Sequence, residues 1–277
     1  MSVKREVIHP LDPYLRTERF PHIWCPGCGI GVVIGAFLRG WLETNIPREK
    51  LVVVSGIGCT SRAPGYLLFD TFHATHGRGI PFATGLKIAN PDLTVVVIAG
   101  DGDLFSIGGN HFIHAARRNV DLTIICVNNF NYGMTGGQMA PTTPTDSKTT
   151  TSPYGNIEQP FNLVHLAVSA GAVYVARWTT YHVRQLQRSI KEALLKKGFS
   201  FVEVLSQCPI NFGRRNQWPD SVSMLKYFKE HSKIRKEEPP EAAEVTINNK
   251  IIVGKFVDTE RETFMDKYRR LVQCVTK

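Results

Sequence analysis

Asp101, in Gly100-Asp101-Gly102, and Asn129, in Asn128-Asn129, are the side chains whose type and spacing point first to chemistry. A carboxylate and an amide oxygen suit a hard cation such as Mg²⁺, which takes oxygen ligands and shares them with phosphates. The backbone carbonyl of Asn131 can turn toward the same ion. Glycines at 100 and 102 let the main chain come close to a diphosphate. Alone, the tripeptide is an ordinary turn after a strand. Paired with the asparagines one strand–helix–strand unit later, it reads as a cofactor site. A second group is made of thiols. Cys25 and Cys28 form a C-x-x-C pair that could hold zinc, act as a redox couple or supply half of an iron–sulfur site. Cys59 ends a strand in a glycine turn, and Cys208 follows a strand and precedes Pro209. Cys126 reads as a small buried hydrophobe and Cys274 as a free thiol near the terminus.

Such residues need a scaffold, and the apolar pattern supplies one. Ile30, Val33, Ile34, Phe37, Leu38, Trp41 and Leu42 recur at helical spacing. Short strands are predicted at 51–55, 94–99, 122–127, 172–176 and 200–205, the last of the series. Helices are predicted from Pro81 to about Ala89, over 107–118, over 161–170 and through Val183, Leu186, Ile190 and Leu194 with Thr180 as cap. Residues 139–156 read as a long loop, and 1–24 as an irregular arm. Residues 245–257 suggest a hairpin around Asn248-Asn249, and the tail from Thr259 looks helical. Alternating strands and helices predict an α/β fold: a parallel sheet with helices on both faces. Asp101, Asn129, Cys59 and Cys208 then share its carboxyl edge, where open sheets bind ligands.

Composition narrows the field. Hydrophobic residues are 43% and charged residues 21%, as in a soluble globular protein. No apolar run has membrane-helix length, and the polar start to Arg19 lacks a signal-peptide core, so a cytoplasmic address is expected, with no membrane role. Six cysteines in a reducing compartment call for metal, catalysis or burial rather than disulfides. The net charge of +9 suits an acidic partner. No nucleic-acid recognition motif accompanies it.

The stretch Gly100-Asp101-Gly102-Asp103-Leu104-Phe105-Ser106-Ile107-Gly108-Gly109-Asn110 resembles the β subunit of 2-oxoacid:ferredoxin oxidoreductases, which are thiamine-diphosphate enzymes. So does Asn128-Asn129-Phe130-Asn131-Tyr132-Gly133-Met134-Thr135-Gly136-Gly137-Gln138. The likeness runs through about residues 20–220. It implies a thiamine-diphosphate-binding domain with its N-terminal arm over 1–207. A C-terminal extension over 208–277 would bring the fourth cluster cysteine and subunit or partner contacts. It also implies Mg²⁺ held by Asp101, Asn129 and the carbonyl of Asn131, with Thr135 at the diphosphate. In the family, C-P-G-C, a third cysteine and a Cys-Pro segment bind a [4Fe–4S] cluster; these match Cys25, Cys28, Cys59 and Cys208. Thiolates suit such a cluster. Spacing alone leaves zinc as a rival.

Arg62 stands where the family has a basic residue near the substrate, and could pair with its carboxylate. A turn-capping surface arginine is the competing reading. His73 or His76 could donate a proton, His76 being the one assigned a catalytic role here; a structural hydrogen bond is the plainer role for either. The segment from Cys208 to Asn216 looks most like members acting on 2-oxoglutarate, and Arg214 or Arg215 could meet a second carboxylate or make a surface or subunit contact. Pyruvate and branched-chain 2-oxoacids are the alternatives. The resemblance implies oxidative decarboxylation with coenzyme A to acyl-CoA and CO₂, electrons passing through the cluster to ferredoxin. An α subunit would supply the pyrimidine-binding half of the site. Lys226, Lys229, Lys233, Arg235 and Lys236 could steer an acidic ferredoxin, or form a solvated face. Rival functions are a non-redox thiamine-diphosphate decarboxylase or lyase and a non-catalytic iron–sulfur or zinc-stabilised subunit.

Overall fold

Valine and isoleucine runs build the sheet, because β-branched side chains pack well on a pleated surface and burial on both faces removes the need for alternation. A computed structural model gives the fold and describes residues 9–276. In chain order the elements are α1 (Ile30–Leu42), β1 (Leu51–Ser55), β2 (Asp70–His73), α2 (Gly79–Ala89), β3 (Thr94–Gly100), α3 (Gly109–Arg118), β4 (Thr123–Asn128), β5 (Asn131–Tyr132), β6 (Gln138–Met139), α4 (Leu163–Ser169), β7 (Tyr174–Thr179), α5 (Val183–Leu195), β8 (Ser200–Leu205), α6 (Ser221–His231), β9 (Ser232–Ile234), β10 (Ile251–Asp258) and α7 (Phe264–Val275). The main sheet runs β2-β1-β3-β4-β8-β7-β10-β9. All its neighbours are parallel except β10, which runs antiparallel to β7.

Side chains alternate between two cores. Val53, Val96, Ile98, Ile125 and Val204 face α1, α5 and α6. Val54, Val97, Ile124, Cys126 and Phe201 face α2, α3 and α4. The predicted parallel sheet covered on both faces is therefore observed. Phe37 and Phe112 are fully buried, one in each core. Truncating either to alanine removes about 3–5 kcal/mol of stability. Gly40 lets α1 lie against α5: a Cβ there would stand 2.9 Å from the carbonyl oxygen of Gln187. Among the described residues no helix is long and apolar enough to cross a membrane.

Several local expectations change. The stretch containing His73 is a strand, β2, absent from the predicted set. It escaped notice because it lies at the sheet's edge, with Asp70, Phe72 and His73 exposed. Residues 245–257 do not form a hairpin; β10 crosses to pair with β7 and β9. The strand at 200–205 is accordingly not the last. Thr180 does not cap α5, whose N-cap is His182; the Thr180 hydroxyl donates instead to Gln207. The helix expected from 107 starts at Gly109, after a wide turn over Asp103–Ile107 in which the Gly108 amide donates to the Asp103 carbonyl.

Candidate functional site

β1 passes the chain outward to β2, while β3 passes it the other way to β4. The crevice at the carboxyl ends of β1 and β3 is thus a topological switch point, the usual ligand position in open α/β sheets. A cavity of about 90 Å³ opens there, lined by Cys59, His76, Asp101, Asn129, Asn131 and their neighbours.

Asp101 is 1% exposed. Burial pushes its carboxyl up to about 7, against the opposing pull of hydrogen bonds from the Thr142 hydroxyl and backbone amides. Thr142 Oγ1 donates to Asp101 Oδ2. Asn129 is 8% exposed, and the inner end of its amide lies 3.3 Å from Asp101 Oδ1 and 2.7 Å from the Asn131 carbonyl oxygen. With the amide oxygen at that end, three acceptors face one another. Turning the amide over would let it donate to both; a cation among the oxygens would satisfy the arrangement as it stands. Carboxylate, amide and carbonyl oxygens form a donor set that Mg²⁺ takes, so the residues present fit that ion.

The turn that gathers these oxygens is tightly specified. Phe130 is buried and adopts φ 65°, unusual for a residue with a side chain. It reverses the chain so that the side chain before it and the carbonyl after it point the same way. Tyr132 covers Gly102 so closely that a Cβ at 102 would lie 2.3 Å from the ring. Asp103 accepts from the amides of Ile57 and Gly77, at 3.1 and 2.8 Å, which ties the β1 turn to the β3 turn. His76 Nδ1 lies 2.5 Å from Asp103 Oδ1 but makes no hydrogen bond of good geometry.

Cys25, Cys28, Cys59 and Cys208 line a second cavity of about 290 Å³. All are free thiols. Burial pushes Cys28 up to about 12 and Cys59 up to about 11, and neighbouring cysteines add to both shifts. Burial also raises Cys208. Unliganded, these groups stay protonated; a bound metal would draw off the protons. Among the described residues no three His, Cys, Asp or Glu side chains converge tightly enough for a single ion. The four thiols ring a space large enough for a polynuclear group. Gly27, at φ 77°, lets the loop press against α6: a Cβ there would stand 2.3 Å from Ser221 Oγ. The two cavities share Cys59, Asn129, Gly133 and Met134.

Gly100, Gly102 and Thr135 also line the first cavity, with Thr135 exposed at its mouth. Arg62 does not line it: the side chain is exposed on the Thr60–Tyr66 turn and lies close enough to His73 to help depress that imidazole, after burial. His73 Nδ1 makes a 2.9 Å hydrogen bond with Ser55 Oγ, a structural role. Arg214 and Arg215 line neither cavity. Cys126 is fully buried in a strand, as read from its position. Sequence reasoning missed Thr142, Asp103 and Met134 as site residues. A buried acidic residue two places after Asp101 was a usable sign; Thr142, in a Thr-rich loop, gave none.

Residues 56–204 match the family described as thiamine pyrophosphate enzyme, C-terminal TPP binding domain. The 2-oxoglutarate synthase subunit KorB of Methanocaldococcus jannaschii is 54% identical over 266 residues, covering 96% of this chain and 98% of its own. The subunit of that name from Methanothermobacter marburgensis is 50% identical over 277 residues, 99% of this chain and 94% of its own. A solved structure, 2-oxoglutarate:ferredoxin oxidoreductase from Magnetococcus marinus with 2-oxoglutarate, coenzyme A and succinyl-CoA bound, has a TM-score of 0.85 at 33% identity, over 99% of this chain and 92% of that chain.

Proposed function

Since the chain belongs to the KorB family of 2-oxoglutarate synthase subunits, we propose that it is the thiamine-diphosphate-binding β subunit of an enzyme converting 2-oxoglutarate and coenzyme A to succinyl-CoA and CO₂, with electrons leaving through an iron–sulfur cluster to ferredoxin. One observation carries the reading: oxygens suited to a diphosphate-bound cation and a ring of four thiols share a wall. Thiamine diphosphate, when bound, supplies the carbanion chemistry that releases CO₂.

The chain's own residues hold and orient. Asp101, Asn129 and the Asn131 carbonyl would grip Mg²⁺; Gly100, Gly102 and Thr135 would lie along the diphosphate. Cys25, Cys28, Cys59 and Cys208 would ligate a [4Fe–4S] cluster. Their spread around a cavity favours that cluster over one zinc ion, which needs four close sulfurs. His76 lines the recess with Nδ1 beside the Asp103 carboxylate, and it would be the proton donor there. Arg62, outside the cavity lining, would meet a substrate carboxylate only in a site completed by another subunit. We assign that role to an α subunit, which would also bring the carboxylate for the aminopyrimidine. In this reading residues 1–207 bind the cofactor, and 208–277 add Cys208 and partner contacts. Lys226 and Lys229 are exposed on α6, whose first residue abuts the Cys25–Cys28 loop, so an acidic ferredoxin drawn to them would dock beside the cluster. The cytoplasm, which keeps thiols reduced, is the compartment proposed.

Anaerobic purification with whatever accompanies the chain tests the reading. Iron, sulfide and thiamine should be found together, and 2-oxoglutarate with coenzyme A should reduce a viologen dye. Abundant zinc without iron would refute the cluster. Faster turnover of pyruvate or a branched-chain 2-oxoacid would refute the substrate.

A further inference from the structure

Beneath the Asn128–Asn131 turn lies a pair of charges sealed from solvent. Arg177 Nε stands 2.6 Å from Glu203 Oε2, and both side chains are fully buried. Arg177 Nη1 donates to the Ala243 carbonyl, while Nη2 finds no partner among the described residues. The other carboxylate oxygen, Glu203 Oε1, accepts from Asn128 Nδ2 at 2.8 Å. Asn128 Oδ1 accepts in turn from the Phe130 amide at 3.2 Å. The Phe130 carbonyl accepts from Thr143 Oγ1 at 2.6 Å. Phe130 is the left-handed residue that aims Asn129 and Asn131 at Asp101.

Packing does not account for this pair. Two apolar residues of similar volume would fill the space with equal or greater stability, because buried charges lose their hydration. The unpaired Arg177 Nη2 adds to that cost. What an apolar pair could not provide is a fixed acceptor under Asn128.

We propose that Glu203 is a positioning residue for the cofactor cation: it orients Asn128, which holds the left-handed turn at Phe130, so that the Asn129 and Asn131 oxygens meet Asp101. Arg177 neutralises the buried charge of Glu203 and anchors it to the segment around Ala243. Ligand residues are commonly held by such outer partners, whose loss weakens metal affinity about 10–100-fold. The inference rests on the reading of Asp101, Asn129 and Asn131 as cation ligands.

The test is a Mg²⁺ titration of the enzyme isolated with its partner subunit and stripped by a chelator. Thiamine-diphosphate binding is followed calorimetrically at saturating cofactor, alongside melting temperature and iron content. Asn128→Ala keeps both charges of the ion pair, removes the donor to Glu203 Oε1, and should raise half-saturating Mg²⁺ about 10–100-fold. The double variant Arg177→Met with Glu203→Met should melt at or above the parent temperature yet show the same loss. Arg177→Met with Glu203→Gln keeps an oxygen for Asn128 and should recover parental affinity. A purely structural pair would leave Mg²⁺ affinity at the parental value in Asn128→Ala and in the doubly methionine-substituted protein, and that result overturns the proposal. If the parent enzyme itself binds the cofactor without any cation, the ligand assignment fails instead.

Discussion

Gly102→Ala offers the sharpest test of how the cofactor loop is held. A Cβ at 102 would sit 2.3 Å from Tyr132 Cε1, whereas ordinary contact begins at 3.4 Å. The ring must therefore retreat by about 1 Å. Tyr132 lies between Asn131 and Gly133, in the loop whose carbonyl faces Asp101. Its retreat drags that oxygen, and a misplacement of about 1 Å at reacting groups can cost about 100-fold in rate. We expect 2-oxoglutarate-dependent viologen reduction to fall by about that factor, with weaker thiamine-diphosphate binding and an unchanged circular dichroism spectrum. The control is Gly85→Ala, on the exposed side of α2, where a Cβ meets nothing within 4 Å. It should keep full activity and gain about 0.5–1 kcal/mol of stability from the helix interior. Parental turnover and cofactor affinity in Gly102→Ala would refute the argument, because the loop would then tolerate the displacement freely.

Thr142→Val keeps the shape but removes the hydroxyl that donates to Asp101. A hydrogen bond to a charged group is worth about 1.5–3 kcal/mol, so half-saturating Mg²⁺ should rise at least about 10-fold in a binding titration. The chelated protein should lose stability as pH rises from about 4 to about 7. Asp101, raised to about 7, keeps its proton in the folded state while the unfolded chain gives it up, so folding binds protons across that window. Melting curves in EDTA at several pH values check this, and Mg²⁺ with thiamine diphosphate should flatten the slope. Cys25→Ser should cost the protein its iron and its dye reduction while leaving thiamine-diphosphate affinity intact, since Cys25 lies outside the first cavity. Metal analysis and calorimetry on one preparation decide it.

The central sheet was legible because Val52–Val54 and Val95–Val97 are apolar runs too short for helices and rich in β-branched residues. The ligand edge followed from the parallel sheet expected of alternating strands and helices, and Asp101 and Asn129 do stand together. What stayed hidden depends on long-range pairing. β2 carries exposed residues and pairs only with β1. β9 sits inside a charged run, and β10 finds its antiparallel partner far back at β7. Thr142 reaches Asp101 across 41 positions of chain. Phe130 gives no sign of its left-handed backbone, which goes with hydrogen bonds to Asn128 and Thr143. Edge position linked only Cys59 and Cys208, the family resemblance added Cys25 and Cys28, and all four line one cavity.

The wall common to both cavities also bears on how the protein weathers air. Gly133 and Met134 stand between the thiol ring and the cation oxygens, while Cys25 opens to solvent on the far side. A [4Fe–4S] cluster held as proposed would meet dioxygen at that outer rim, where Cys25 is exposed. A partner seated over the Cys25 rim would shield such a cluster from air.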